Sequence, residues 1–398
     1  MLTIGITISF TTSIDFRLLV ISLLYFDIDL LFDSLSMLFI WICFNCSIGI
    51  LFYGIHSIHL SSIRLLLDIH ILLVLLSVLC IHVFIFWVVF ELCSIPLLLY
   101  LGSTLSSRRS YALFLLVISM LLGSISFIIS IYYSLDLDIR SHDLTRMLCF
   151  GLYVLLSVKV PVYPFIFWLP EAHVESTTDC SIILAAVLLK LSVLGIIRFT
   201  WLLLESSLYL YLLVSIISLS FASIYAVLSL DMKRVIAWSS VIHMNSSMLP
   251  VLLSDSLLFN IAVLLVVSHS LVSIGLFYSL GILSECVGYR SSVVSSIGLL
   301  TLPGLAFVLL LYWLYNIGFP LTVSYYAEWI LVSLLSYSSY WISLLVYCCV
   351  SLILVIIVIS FHCRIFALTS RLFVLSDLSI IELLLLVLVL VYSILSVI

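Results

Sequence analysis

Apolar stretches, each about as long as a bilayer crossing, follow one another along nearly the whole chain, with short polar clusters between them. A helix spanning the hydrocarbon core needs about 20 predominantly apolar residues. By that measure the pattern predicts helices over 34–54, 64–81, 83–102, 110–132, 147–168, 181–200, 206–229, 235–253 and 257–283, then 293–317, 321–338, 341–361 and 378–397. Residues 1–33 hold a weak first helix and then a segment bearing Asp15, Arg17, Asp27, Asp29 and Asp33. Polar stretches such as Ser103–Ser110, Tyr133–Arg146 and Glu285–Ser292 serve as loops. Runs such as Ile381–Val391 lack the every-second-residue alternation of a membrane barrel strand. The expected fold class is an all-α polytopic membrane protein of about 13 transmembrane helices.

Two helices are broken in this pattern. Lys159-Val160-Pro161 interrupts one apolar run, with Pro164 and Pro170 following, and Asn316-Ile317-Gly318-Phe319-Pro320 interrupts another. Proline lacks a backbone donor and clashes with the carbonyl four residues earlier. Within a membrane the freed backbone groups must be satisfied by protein or by water in a cavity. If 293–317 and 321–338 are halves of one span, the breaks at Pro161 and Pro320 each fall in the fourth of five spans. Matching interruptions of this kind point to two inverted-topology repeats. The expected division is 1–33 an N-terminal segment, 34–61 a preceding helix, 62–203 and 204–361 the two repeats, and 362–398 a C-terminal helix.

Composition agrees with the membrane reading: 65% hydrophobic, 8% charged, mean hydropathy +1.45. A soluble domain is about 45–50% apolar and about 25% charged. A net charge of −5 gives no reason to expect nucleic acid. The ten cysteines are scattered through apolar stretches; Cys43-Phe44-Asn45-Cys46 has no second pair at zinc spacing, which favours packing over metal or redox chemistry. No secretory cleavage pattern is apparent at the N-terminus. Alternate loops carry Arg108, Arg109, Lys233, Arg234, Arg290, Arg364 and Arg371 on one side, and Arg140, Arg146 and Arg198 on the other. That asymmetry places the first set on the cytoplasmic or matrix side.

Charges at membrane depth cost several kcal/mol and persist where they have a partner or a task. Of the three lysines, Lys159 and Lys190 lie in or beside long apolar runs. Glu91 is the sole charge between Asp68 and Arg108. Burial disfavours the charged form of a carboxylate or amine, and close pairing restores it. A glutamate and a lysine that approach and separate therefore trade a proton; a static pair would only fix packing. His243 and His269 sit in apolar helices, each readable as a proton carrier or as a hydrogen-bonded core residue. Glu328, after the second break, is either a proton stop near one surface or an interfacial carboxylate. Arg198 and Glu382 lie near helix ends and suit interfacial anchoring, while Glu171, His173, Glu175 and Asp179 have the composition of a solvated acidic loop.

The stretch Val158-Lys159-Val160-Pro161 through Leu169-Pro170-Glu171-Ala172-His173-Val174-Glu175, with Ser181 to Lys190-Leu191, resembles the antiporter-like subunits of respiratory complex I. So do Asp231-Met232-Lys233-Arg234 through His243-Met244-Asn245, Val267-Ser268-His269-Ser270 and Asn316-Ile317-Gly318-Phe319-Pro320 with Glu328 beyond. The resemblance covers roughly 33–365, is most specific between 158 and 270, and is to the subunit-4 branch, in which the residue at 328 is acidic. It implies a modulating pair Glu91–Lys159 for a first half-channel. It also implies a hydrophilic axis through Lys190, His243 and His269, with Glu328 ending the second half-channel. It implies proton translocation coupled to NADH-to-ubiquinone electron transfer, with no cofactor bound by this chain: NADH, FMN, iron–sulfur clusters and ubiquinone belong elsewhere in the complex. Expected partners are antiporter-like subunits 2 and 5, accessory subunits and membrane lipids such as cardiolipin. The expected location is the mitochondrial inner membrane. The chain departs from the family pattern in lacking about one N-terminal helix, and in Leu321-Thr322-Val323-Ser324, Ala327 and the Ser-Thr-Thr-Asp after Glu175. A free-standing cation/proton antiporter and a non-pumping structural subunit are the rival readings.

Overall fold

The computed structural model describes residues 19–23, 28–32, 34–53, 61–80, 82–102, 106–136, 141–199, 205–252, 256–287, 303–320, 322–337, 347–351 and 353–356. The expected final helix 378–397 with Glu382, residues 293–302 of the tenth expected helix, and Arg290, Arg364 and Arg371 lie outside them. The chain forms two compact units, Met1–Ser106 and Ser107–Ile398.

In the first unit the all-α expectation is corrected. Strands β1 (Leu19–Leu23) and β2 (Ile28–Phe32) pair antiparallel, with Leu19 opposite Phe32 and Leu23 opposite Ile28. Five-residue segments are too short to cross a bilayer, and β-branched Val20, Ile21 and Ile28 suit an extended pairing. Three helices follow, α1 (Ser34–Tyr53), α2 (Ser61–Leu79) and α3 (Val83–Gly102). The buried His70 Nδ1–H of α2 donates to the Cys93 carbonyl of α3 at 2.7 Å, tying the two together.

The second unit begins with α4 (Ser107–Asp136) and α5 (Ser141–Lys159), which pack on each other. The approach is close: a Cβ added at Gly151 would lie 2.2 Å from Ser130 Oγ. The opposite face of α4 presents Phe114, Leu121, Ile125, Ile128 and Ile129, all exposed. An apolar stripe of that length facing outward is explained by lipid as the surrounding solvent.

α5 stops at Lys159, with Pro161 as the cause. The Val162 N–H reaches back to the Ser157 carbonyl (3.0 Å) instead of continuing the helical ladder. A non-helical stretch leads into α6 (Trp168–Glu175), so residues 168–175 are helical where the sequence suggested a loop. α7 (Thr178–Ile183) runs through a π turn, Leu184–Leu188, into α8 (Leu189–Phe199). Next come α9 (Glu205–Leu228), α10 (Met232–Leu252) and α11 (Ser256–Val287). α12 (Pro303–Ile317) and α13 (Val323–Tyr337) flank the second break, which falls where the sequence placed it. There Gly318 takes φ +78°, a conformation that glycine adopts without a Cβ penalty.

Burial sorts these helices into two kinds. The spanning window of α4 is 33% buried and that of α9 39%, whereas Thr178–Phe199 is 94% buried, α10 100% and α11 89%. Three inner helices are therefore wrapped by protein, with α10 against α8, α9 and α11. Their serine hydroxyls are satisfied locally: Ser239, Ser240, Ser246 and Ser247 each donate to the carbonyl three residues back. Six of the described helices are long and apolar enough to cross a membrane.

Candidate functional site

The inner helices hold what an apolar core ordinarily excludes. Lys159, Lys190 and Lys233 are buried, with 1%, 0% and 3% exposure. Lys190 Nζ donates to the Ala185 carbonyl, five residues back and within the π turn. The wider turn thus presents an acceptor to a buried cation, and π turns recur at functional sites. Lys233, counted as a loop charge from sequence, is corrected by its burial: its Nζ donates to the Ser176 carbonyl at 2.9 Å.

His243 of α10 and His269 of α11 face each other with ring centroids 4.8 Å apart and planes inclined by 27°. Lys190 acts electrostatically on both rings, and Asn316 at the end of α12 lies beside both, its backbone by His243 and its side chain by His269. The structure thus brings Lys190, His243 and His269 into one buried cluster and adds Asn316, which is 2% exposed. Asn245 clamps the first break, its Nδ2 donating to the Pro161 carbonyl (3.2 Å) and to Val241 (2.9 Å). Trp168 Nε1 donates to the Val158 carbonyl (2.9 Å) across the same break.

Glu328 on α13 is half-buried, with the Tyr347 hydroxyl within hydrogen-bonding reach of its carboxylate. Gly318 abuts it so closely that an added Cβ would lie 2.7 Å from Glu328 Oε2. Glu91 is half-buried on α3 of the first unit, where the Ser94 hydroxyl donates to its backbone carbonyl (2.6 Å). Arg198 is half-buried near the end of α8.

The reading of a solvated acidic loop is overturned for His173, which is fully buried and stacked on Phe277 at 4.7 Å. Glu171 is half-buried and paired with Arg234, whose Nη2 lies 3.0 and 3.2 Å from the two carboxylate oxygens. Among the described residues, no group of three or more His, Cys, Asp or Glu is arranged to hold a metal ion.

The fold and this cluster define a polytopic helical membrane protein with ionisable side chains held inside its bundle. The chain belongs to the NADH:quinone oxidoreductase/Mrp antiporter transmembrane family, whose model matches residues 80–354. It is 32% identical over 281 residues to NADH-ubiquinone oxidoreductase chain 4 of Marchantia polymorpha, covering 65% of this chain and 56% of that protein. To chain 4 of Acanthamoeba castellanii it is 31% identical over 328 residues, covering 77% and 64%. The chain thus spans less than two thirds of the length of either relative. Both names agree with the subunit-4 resemblance carried by the motifs. Its fold is also that of a chain of respiratory complex I from Thermus thermophilus with bound NADH (TM-score 0.76, 21% identity, 92% of this chain and 81% of that one). A chain of the Mrp complex from Dietzia sp. DQ12-45-1b is similar too (TM-score 0.80, 14% identity, 95% and 83%).

Proposed function

We propose that this chain is a proton-translocating membrane-arm subunit of a respiratory NADH:ubiquinone oxidoreductase, multi-pass in the mitochondrial inner membrane. It works there beside antiporter-like subunits 2 and 5, accessory subunits and lipids such as cardiolipin, and electron transfer is carried out elsewhere in the complex. Residues 62–203 and 204–361 act as inverted repeats, each a half-channel with one broken helix. The observation that carries this reading is the buried His243–His269 pair with Lys190 acting on both rings.

Charge displacement in a neighbouring subunit alters the interaction between Glu91 and Lys159, and so the proton affinity of Lys159. At an effective dielectric of about 20, a unit charge brought to about 4 Å is worth about 4 kcal/mol. That shifts a proton equilibrium by about a thousandfold. The proton then passes by way of Lys190, His243 and His269 toward Glu328. At each step an N–H gives its proton to the lone pair of the next group or of a bridging water, and the donor is left neutral. The two breaks suit such a path because helix ends leave backbone groups able to bind water.

The test is NADH-driven proton uptake by sealed membrane vesicles, comparing wild type with Lys159→Ala after the complex is shown to assemble. Loss of pumping is expected; wild-type pumping in an intact complex would leave a structural subunit. The fold likeness to the Mrp complex favours a second reading, a cation/proton antiporter. On that reading, transport would depend on the sodium concentration and would persist without NADH.

A further inference from the structure

The path proposed above does not use the α6 segment, yet α6 and the start of α10 together form a wall with two charged faces. On its outer side is a cavity of about 280 Å³ lined by Phe167, Tyr225, Ser229 and Trp238 together with the Glu171–Arg234 ion pair. Both partners of that pair are about a third exposed (31% and 36%). The aromatic side is ordered, with Tyr225 stacked on Trp238 at 5.2 Å and Phe167 set edge-on to both.

The inner side belongs to His173 and Lys233. Residues two apart on a helix point in nearly opposite directions, because each step turns about 100°. Glu171 therefore meets the cavity while His173 points inward; on α10, Arg234 lines the cavity while Lys233, one step of about 100° away, is buried. Ser176 links the inner pair: its hydroxyl donates to the His173 carbonyl (3.0 Å), and its carbonyl accepts from Lys233 Nζ (2.9 Å). Lys233 and Lys190 are the charged groups that act on the His173 ring. Neither ring nitrogen of His173 meets a hydrogen-bond partner among the described residues. Leaving such a group unsatisfied is destabilising, so a purely structural role is poorly served by histidine here.

We propose that the cavity is an aqueous mouth of the proton path, and that His173 carries protons through the α6–α10 wall to Lys233 and Lys190. This rests on the proton-translocating reading above. An imidazole accepts a proton on one nitrogen and releases one from the other. Water entering the wall from the cavity delivers a proton to one ring nitrogen, and the N–H on the other side is donated to a neutral lysine amine. The imidazole is left as its other tautomer, and reorientation of the ring resets it. Stacking on Phe277 holds the ring in the wall between transfers.

The test uses membrane vesicles holding the whole complex, with His173→Phe, His173→Gln and, as control, Lys159→Ala. His173→Phe keeps an aromatic ring against Phe277 but has no nitrogen. Its pumping is expected to fall about 10²-fold, the low end of what a positioned proton-transfer group contributes. In parallel, Ser229→Cys on the cavity wall should react with a membrane-impermeant thiol reagent above the background of the wild type. Wild-type pumping by His173→Phe, while Lys159→Ala abolishes it, overturns the role of His173 and leaves the general function standing. If Lys159→Ala also pumps normally, the proton-carrying reading itself fails. Should His173→Phe not assemble, His173→Gln decides: a loss of pumping in an assembled complex supports the relay. Wild-type pumping overturns it. An unreactive Ser229→Cys overturns the aqueous mouth.

Discussion

Replacing Gly318 with alanine loads the second break in two separable ways. The first is conformational: at φ +78° an L-residue pays about 1–2 kcal/mol that glycine does not. The second is steric. The new Cβ would lie 2.7 Å from Glu328 Oε2, so the carboxylate must retreat by about 0.7 Å to regain ordinary contact. That retreat disturbs its hydrogen bond with Tyr347, and an intramolecular hydrogen bond is worth about 0.5–1.5 kcal/mol. Gly318→Ala is therefore expected to lower the thermal midpoint at which this chain leaves the purified complex, and to slow NADH-driven pumping. Shortening the acid, in the double variant Gly318→Ala with Glu328→Asp, makes room for the Cβ and should remove the steric part only. The two changes should then couple by about 0.5–3 kcal/mol, as residues in contact do. Strict additivity in both midpoint and pumping rate, or a Gly318→Ala variant identical to wild type, would refute the argument that Gly318 is kept small for Glu328.

Two further outcomes follow from the packing. Gly151→Ala drives a Cβ to 2.2 Å from Ser130 Oγ and 2.6 Å from Ser130 Cβ, so the α4–α5 contact should lose about 1–3 kcal/mol. The amount of assembled chain in the membrane reports this, and Ser130→Gly, unlike Ser130→Ala, should restore it. Asn245→Leu keeps the branched shape but removes the donor to the Pro161 carbonyl, at a cost of about 1–3 kcal/mol. A lowered thermal midpoint together with slower pumping is expected; a loss of stability alone would show that the first break is only a structural joint.

The breaks were legible in the sequence because their cause is local. Pro161 has no N–H and Gly318 no side chain, and both act within one turn of their own position. Lys159, Lys190, His243 and His269 were legible for a related reason. A polar group inside an apolar run long enough to span a bilayer must be enclosed by protein, whatever encloses it. The π turn ahead of Lys190 carries no such mark: Leu184-Ala185-Ala186-Val187-Leu188 is an unremarkable helical string. The strand pair 19–23 and 28–32 was missed because two five-residue segments lack the length for any period to declare itself.

Hydropathy by itself determined that the chain crosses a membrane many times, where its helices break, and which charges lie at depth. It did not rank the helices from outside to inside. The most apolar spanning window, on α4, is the least buried, and the least apolar, on α10, is wholly buried. Lipid is as good a solvent for leucine as a protein core, so apolarity alone does not set depth: Thr178–Phe199, nearly as apolar as the α4 window, is 94% buried. Only the tertiary structure placed His173 and Lys233 inside. Residues 168–179 have the composition of a loop, and what encloses them comes from far along the chain. Lys233 bonds to Ser176 across 57 positions, Arg234 to Glu171 across 63, and His173 lies on Phe277. No window of neighbouring residues contains that information, because burial of a short polar segment depends on what packs over it rather than on the segment itself.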